Sequence, residues 1–186
     1  MRRVAALAVA GVVLASMLIV LIIVQHIAPA LATQPGWIHE RVDLVNGVTL
    51  RAPPLDNWYK CGVEESSSRE CSAYISIDAG SKLGGGEVRD IRLIGEAEGE
   101  GSIPFNFYIM SEADYQNWIN GKPYTAIYER RNVMSVSFNI PLTVEQASSR
   151  IYFIVERAQG SMPSVTPFSA AVKINAVLEW ERKTII

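Results

Sequence analysis

The chain has 186 residues, a formal net charge of −2, and a composition that is 49% hydrophobic and 19% charged. Lys and Arg do not cluster into a basic stripe, which argues against nucleic acid as a partner, because binding phosphates needs concentrated positive charge. About 150 residues follow Gly36, enough for one domain with a real core.

Val4 to Val24 is an apolar run interrupted only by Ser16. About 21 apolar residues are long enough to cross a bilayer core of roughly 30 Å as a helix, whereas a secretory apolar region is usually about 7–15 residues. The run predicts a transmembrane signal-anchor over residues 4–24. Arg2 and Arg3 precede it and no Lys or Arg follows until Arg41. That asymmetry keeps residues 1–3 cytoplasmic and the body outside the cell membrane. Ala30-Leu31-Ala32 also has the small-x-small pattern of a signal-peptidase site, with Thr33 as the new first residue. On that alternative the body is secreted. Residues 25–36 read as a stalk, and residues 37–186 as the extracytoplasmic domain. Trp37 either anchors at the membrane interface or begins the folded domain.

Val42 to Leu50 has strand character, with Asn46-Gly47 as a turn or bulge signal. Ala52 to Asn57 is a Pro-containing loop, and Trp58 to Cys61 reads as a short strand. Cys61 and Cys71 are the two cysteines. In an oxidising compartment they predict one structural disulfide closing the polar loop between them.

Ser72 to Asp78 alternates, with Ala73, Ile75 and Ile77 on one side. Gly84-Gly85-Gly86 breaks the chain. Val88 to Ala97 is a further strand with Ile91 and Leu93 inward, followed by an acidic turn from Glu96 to Gly101. Phe105, Phe107 and Ile109 alternate with Asn106, Tyr108 and Met110. Ser111 is suited to N-cap a short helix through Asn120, which Gly121 and Pro123 end. Met134, Val136, Phe138 and Ile140 share one face of the next strand. Ile151, Phe153 and Val155 alternate with Tyr152, Ile154 and Glu156. Val172, Ile174, Ala176, Leu178 and Trp180 mark the inward face of the last strand. Period-two patterning with one polar face predicts antiparallel strands on a single core. The expected fold is an all-β, jelly-roll-like antiparallel sandwich of about eight strands with one short helix, behind one N-terminal transmembrane helix.

The residue types that carry chemistry are sparse. The two histidines, His26 and His39, lie in or near the stalk, too far from any nucleophile motif for a Ser-His-Asp arrangement. A blue-copper site needs two His and a Cys with the right neighbours, which are missing. No catalytic, cofactor-binding or metal-binding residue is assigned, and no cofactor is expected. Glu96, Glu98 and Glu100 offer oxygen ligands to calcium, but the spacing is not that of a calcium loop, and a solvated turn is the competing reading. Tyr115, Trp118 and Tyr124, beside the short helix, form the candidate partner-contact surface. The competing reading packs Trp118 onto the sheet.

The order Phe105 to Met110, Tyr115 to Gly121, Phe138-Asn139-Ile140-Pro141, Ile151 to Glu156 and a closing strand with Trp180 resembles GOLD-type (emp24-like) sandwiches of membrane-anchored proteins. The resemblance covers about the last 85 residues and rests on strand order. It implies the sandwich fold and protein binding, and it carries no catalytic residue. The chain departs from that layout in its N-terminal anchor and its lack of a coiled coil.

The sequence therefore leads to a non-catalytic, single-pass membrane protein whose outer sandwich binds other protein subunits as an accessory or scaffold of a membrane or cell-surface complex. The alternative is a secreted subunit of a surface fibre. It would be cleaved near Ala32 and self-associate by strand exchange, with Thr33 to Leu50 as the donor strand. A carbohydrate-binding module or extracytoplasmic enzyme is a third reading.

Overall fold

A strand with one apolar face is stable only when that face is covered, and two such sheets cover each other. The structure, a computed structural model, describes residues 35–52, 72–158 and 170–185. Its strands are β1 (Pro35–Arg51), β2 (Ser72–Asp78), β3 (Val88–Gly99), β4 (Phe105–Ser111), β5 (Tyr128–Val133), β6 (Ser135–Pro141), β7 (Arg150–Arg157) and β8 (Ala171–Ile185). Short helices α1 (Gly80–Leu83), α2 (Glu112–Ile119) and α3 (Val144–Ala147) lie between them.

The strands form two four-stranded sheets, ordered β1-β8-β3-β6 and β2-β7-β4-β5. This is the pairing order of an eight-stranded jelly roll built from two Greek keys, in which successive strands change sheet except β4 and β5, which are neighbours in one sheet. The β2–β7, β3–β6, β3–β8, β4–β5 and β4–β7 pairs are all antiparallel. His39–Arg182 form one compact unit that holds the sandwich, while the described strand ends up to Ile38 and from Lys183 belong to another. In that second unit the Thr184 hydroxyl donates to the Gly36 carbonyl at 3.3 Å.

The core follows the alternation. Phe105, Phe107 and Ile109 of β4, Ile151, Phe153 and Val155 of β7, and Val172, Ile174, Ala176, Leu178 and Trp180 of β8 are all buried between the sheets. Each large side chain among them contributes roughly 1.5–3 kcal/mol by leaving water. Phe107 of one sheet stacks on Phe138 of the other, with ring centres 5.8 Å apart. Gly95 makes room for this. A Cβ there would lie 2.2 Å from the Asn175 carbonyl oxygen and 2.5 Å from Cζ of Phe138.

Several expectations change. Among the described residues no helix is long and apolar enough to cross a membrane. The longest of these, α2, has 8 residues, about 12 Å at 1.5 Å per residue, against a bilayer core of roughly 30 Å. The anchor expected at 4–24 and residues 25–34 of the stalk expected at 25–36 lie outside the described residues, and residues 35 and 36 of that stalk instead begin β1. The fold is therefore corrected to a β-sandwich with short helices. A single membrane span, the membrane as partner and a single-pass location have no support in it. The expected disulfide has no support either: Cys61 and Cys71 lie outside the described residues.

Within the sandwich, the acidic turn begins later than expected, since β3 continues through Glu96 and Glu98 to Gly99. Asn46-Gly47, expected as a turn or bulge, makes no turn between strands. β1 runs through it, with Gly47 at φ +63° and its N–H donating to Asn175 Oδ1 at 2.7 Å. Met134 is exposed just before β6 rather than inward.

Candidate functional site on the outer face of the second sheet

Helix α2 forms where Ser111 stops β4. The Ser111 hydroxyl accepts the Asp114 N–H at 3.2 Å and donates to Asp114 Oδ2 at 2.7 Å. Both contacts satisfy groups at the helix start, where negative charge is also favoured. Gly121, at φ +72°, ends the helix by donating its N–H to the Trp118 carbonyl. Asp114 Oδ1 also accepts the Thr125 N–H at 3.0 Å, which ties the following loop back to the helix.

Tyr115 and Trp118 are three residues apart and so share one face of α2. That face lies on the outer side of the β2-β7-β4-β5 sheet, against Tyr108, Met110, Tyr152 and Ile154. Tyr115 stacks on Tyr152 with centres 4.0 Å apart and planes 10° apart. Tyr115 and Trp118 retain 5% and 4% of their exposure, and Tyr124 is partly buried against the same cluster. The structure thus brings the three aromatic candidates together, with two of them facing the sheet. The ring that faces solvent belongs to Tyr74 of β2. It is 52% exposed, with centres 5.1 Å from Tyr115 and 5.9 Å from Tyr152.

One carboxyl is buried here. Glu156, 3% exposed, accepts a hydrogen bond from Tyr108 Oη at 2.8 Å and one from Asn106 Nδ2 at 3.5 Å. Asn106 is oriented in turn by the Asn132 N–H, 3.0 Å from its Oδ1. Burial, then the Glu156 charge, raises the Tyr108 phenol far above its ordinary value. Burial and the neighbouring Tyr74 push Tyr115 up to about 12. Both phenols therefore stay protonated at neutral pH and act as donors and packing surface. Sequence alternation gave Glu156 to a solvated face, whereas it is buried. The signal for its burial was that apolar Met110, Tyr152 and Ile154 share that face.

The glutamates weighed for calcium are spread along the outer face of the other sheet. Glu96 accepts from Asn175 Nδ2 at 3.1 Å, and Glu100 accepts from the Thr49 hydroxyl at 3.1 Å. Among the described residues no group of His, Cys, Asp and Glu is arranged to hold a metal ion.

A second feature is the attachment of β1 to β8. Glu40 and Arg182 form a two-armed ion pair, Arg41 Nη1 lies 3.2 Å from Glu179 Oε1, and Gly47 donates to Asn175. These contacts run in opposite chain directions, as in an antiparallel pair. Leu44, Val45 and Leu50 are the buried apolar anchors of the strand.

No protein-family model matches this chain, and no curated protein matches it. Among solved structures it is similar to the infectious bursal disease virus VP2 subviral particle, at 10% identity and TM-score 0.32, over 78% of this chain and 32% of that one. The chain thus spans about a third of that protein's length. It is also similar to a chain of the Israeli acute paralysis virus particle, at 12% identity and TM-score 0.27, over 84% of this chain and 75% of that one. The GOLD-type resemblance reduces to its coarser part, a distant likeness to jelly-roll-like sandwiches, and likeness this slight says nothing of what the chain binds or builds.

Proposed function

We propose that the chain is a non-catalytic structural subunit of an extracellular assembly, freed by cleavage near Ala32 and linked to its neighbours by exchange of β1. The observation that supports this most is how β1 is held. It is an edge strand, so its departure breaks one ladder and leaves β8, β3 and β6 paired. Its side-chain links to β8 are polar: the Arg41–Glu179 and Gly47–Asn175 contacts are exposed, and the Glu40–Arg182 pair is part-buried. An identical strand from a second copy makes the same contacts, so exchange conserves the native pairing and adds no new interface. The Ala30-Leu31-Ala32 pattern accounts for release of the N-terminal apolar run.

The test is native mass spectrometry of the protein recovered from its own cell surface and medium. A ladder of identical subunits that begin at Thr33 is expected. Monomers only, or chains that keep residues 1–32, would overturn the reading.

A further inference from the structure

The aromatic cluster under α2 is a continuous chain of oxidisable rings. Between ring centres, Tyr108 lies 6.3 Å from Trp118, Trp118 lies 6.0 Å from Tyr115, and Tyr115 lies 4.0 Å from Tyr152 and 5.1 Å from Tyr74. Among the described tyrosines only Tyr74 is exposed, and Tyr108, Tyr115 and Tyr152 are buried. An oxidant that arrives through water therefore meets this chain of rings at Tyr74.

Tyr74 and Tyr115 also meet in a particular way. Their planes are tilted by 46°, and their hydroxyls are hydrogen-bonding neighbours, which is one of the causes that push Tyr115 up to about 12. In a phenol the ortho carbon is bonded to the carbon that bears the hydroxyl. Hydroxyls in contact thus bring ortho carbons of the two rings near each other. Tyr115 and Tyr152 are closer, but they lie face to face with planes 10° apart. A bond between ortho carbons joins rings at their edges and needs one ring to turn. Tyr115 and Tyr152 are both held in packed surroundings, whereas an exposed ring such as Tyr74 changes rotamer readily.

We propose that Tyr74 and Tyr115 form an oxidative cross-linking site, at which a peroxide-driven reaction joins the two rings as dityrosine and staples β2 to α2 within one chain. The oxidant is hydrogen peroxide, used through a haem peroxidase that takes electrons from Tyr74 one at a time. The first oxidation removes one electron and one proton from the Tyr74 phenol and leaves a phenoxyl radical. Tyr115 passes its hydroxyl hydrogen to that radical, which restores Tyr74 and moves the radical to the buried ring. A second oxidation at Tyr74 then sets two radicals side by side. Their ortho carbons form one C–C bond. The hydrogens on those carbons leave as protons while both oxygens take up protons, so both rings return to phenols. In sum, two electrons and two protons leave the pair and reduce one hydrogen peroxide to two waters. The relay keeps the bond within one chain, because the first radical rests on a ring only 5% exposed, out of reach of a second copy. The site is separate from the exchange of β1 and stands without it.

The test treats the purified full chain with a haem peroxidase and hydrogen peroxide, beside Tyr74→Phe, Tyr115→Phe and Tyr128→Phe. The wild type is expected to gain dityrosine fluorescence, to lose the mass of two hydrogens, and to run as a single chain on a denaturing gel. Its digest should hold one linked pair of peptides, carrying Tyr74 and Tyr115. Tyr74→Phe and Tyr115→Phe keep the ring and remove the phenol, so each should lose the fluorescence and the linked pair. Tyr128→Phe, on β5, should keep both. Circular dichroism melts of the untreated chains confirm that each is folded. The linked wild type should melt above the untreated one, because the bond constrains the unfolded chain between residues 74 and 115. A link in which Tyr74 or Tyr115 takes no part, covalent dimers joined through Tyr74, or a wild type that gains no dityrosine would overturn the proposal. A linked chain that melts no higher would overturn the staple.

Discussion

Arg182 on β8 grips Glu40 on β1 with two parallel hydrogen bonds, Nε to Oε1 at 2.9 Å and Nη2 to Oε2 at 2.8 Å. The same guanidinium donates to the carbonyls of Leu83 and Gly85. One side chain thereby holds the edge strand, its neighbour and the glycine-rich turn after α1. A bidentate Arg–carboxylate pair is geometrically specific in a way that a lysine contact is not.

The pair gives β1 a pH dependence. The Arg182 hydrogen bond, opposed by partial burial, holds the Glu40 carboxyl below its ordinary 4.5. A lowered native value means that the stabilisation is complete above 4.5 and is lost as pH falls through the native value. Thermal melts of the wild type and Glu40→Gln should therefore converge in acid and separate near neutrality, with the wild type higher. Parallel curves across the range would show that the pair does not titrate with folding.

Trp118 closes α2 onto the sheet. Trp118→Ala should cost about 3–5 kcal/mol in urea unfolding, as for large aromatic groups removed from a core. Tyr74→Ala, on the exposed rim of the same cluster, should cost about 1 kcal/mol or less. Similar costs for both would mean that α2 is not packed as described.

Tyr108→Phe leaves the buried Glu156 carboxyl short of its closest donor, at an expected cost of about 1–3 kcal/mol. The raised phenols set the alkaline limit. Unfolded tyrosines ionise near 10.0, whereas Tyr108 and Tyr115 in the fold do not. Stability is complete below that value and falls as pH rises through about 12. Absorbance titration of the native protein should show these two phenolates appearing only with unfolding, and Tyr108→Phe should remove one of them.

Gly95→Ala tests the close approach at the centre of the first sheet. The added methyl meets a backbone oxygen and the Phe138 ring, so the cost is expected at about 1–3 kcal/mol or more by overpacking. Gly101→Ala, which meets nothing within 4 Å but sits at φ +136°, should cost about as much as backbone strain alone. Denaturant midpoints for the two variants distinguish steric from conformational effects.

Strands that bury one clean face were legible. Val172 to Trp180, Phe105 to Ile109 and Ile151 to Val155 point into the core as their alternation required. Ser111 and Gly121 bound the helix at the positions their cap chemistry favoured. β5 was not legible, because Tyr128-Glu129-Arg130-Arg131-Asn132-Val133 is an edge strand with almost no apolar face of its own. α3 escaped although Thr143 and Gln146 form a capping box, a signature visible at this spacing. The aromatic candidates were found, but their orientation was not. Period-two reading assigns one face of β4 and β7 to solvent, and only the position of α2 in space reveals that both faces are covered.

The most direct measurement mixes two chains, Glu40→Arg and Arg182→Glu, and follows the mixture by native mass spectrometry and thermal melting. Alone, each chain sets like charges together where the pair stood. If β1 is exchanged, every contact in a mixed assembly is matched: the arginine at position 40 meets the glutamate at position 182, and the native Glu40 meets the native Arg182. The expected result is assemblies containing both chains, with a melting temperature restored to that of the wild type. Chains that stay apart and melt as two separate, weakened components would contradict exchange of β1.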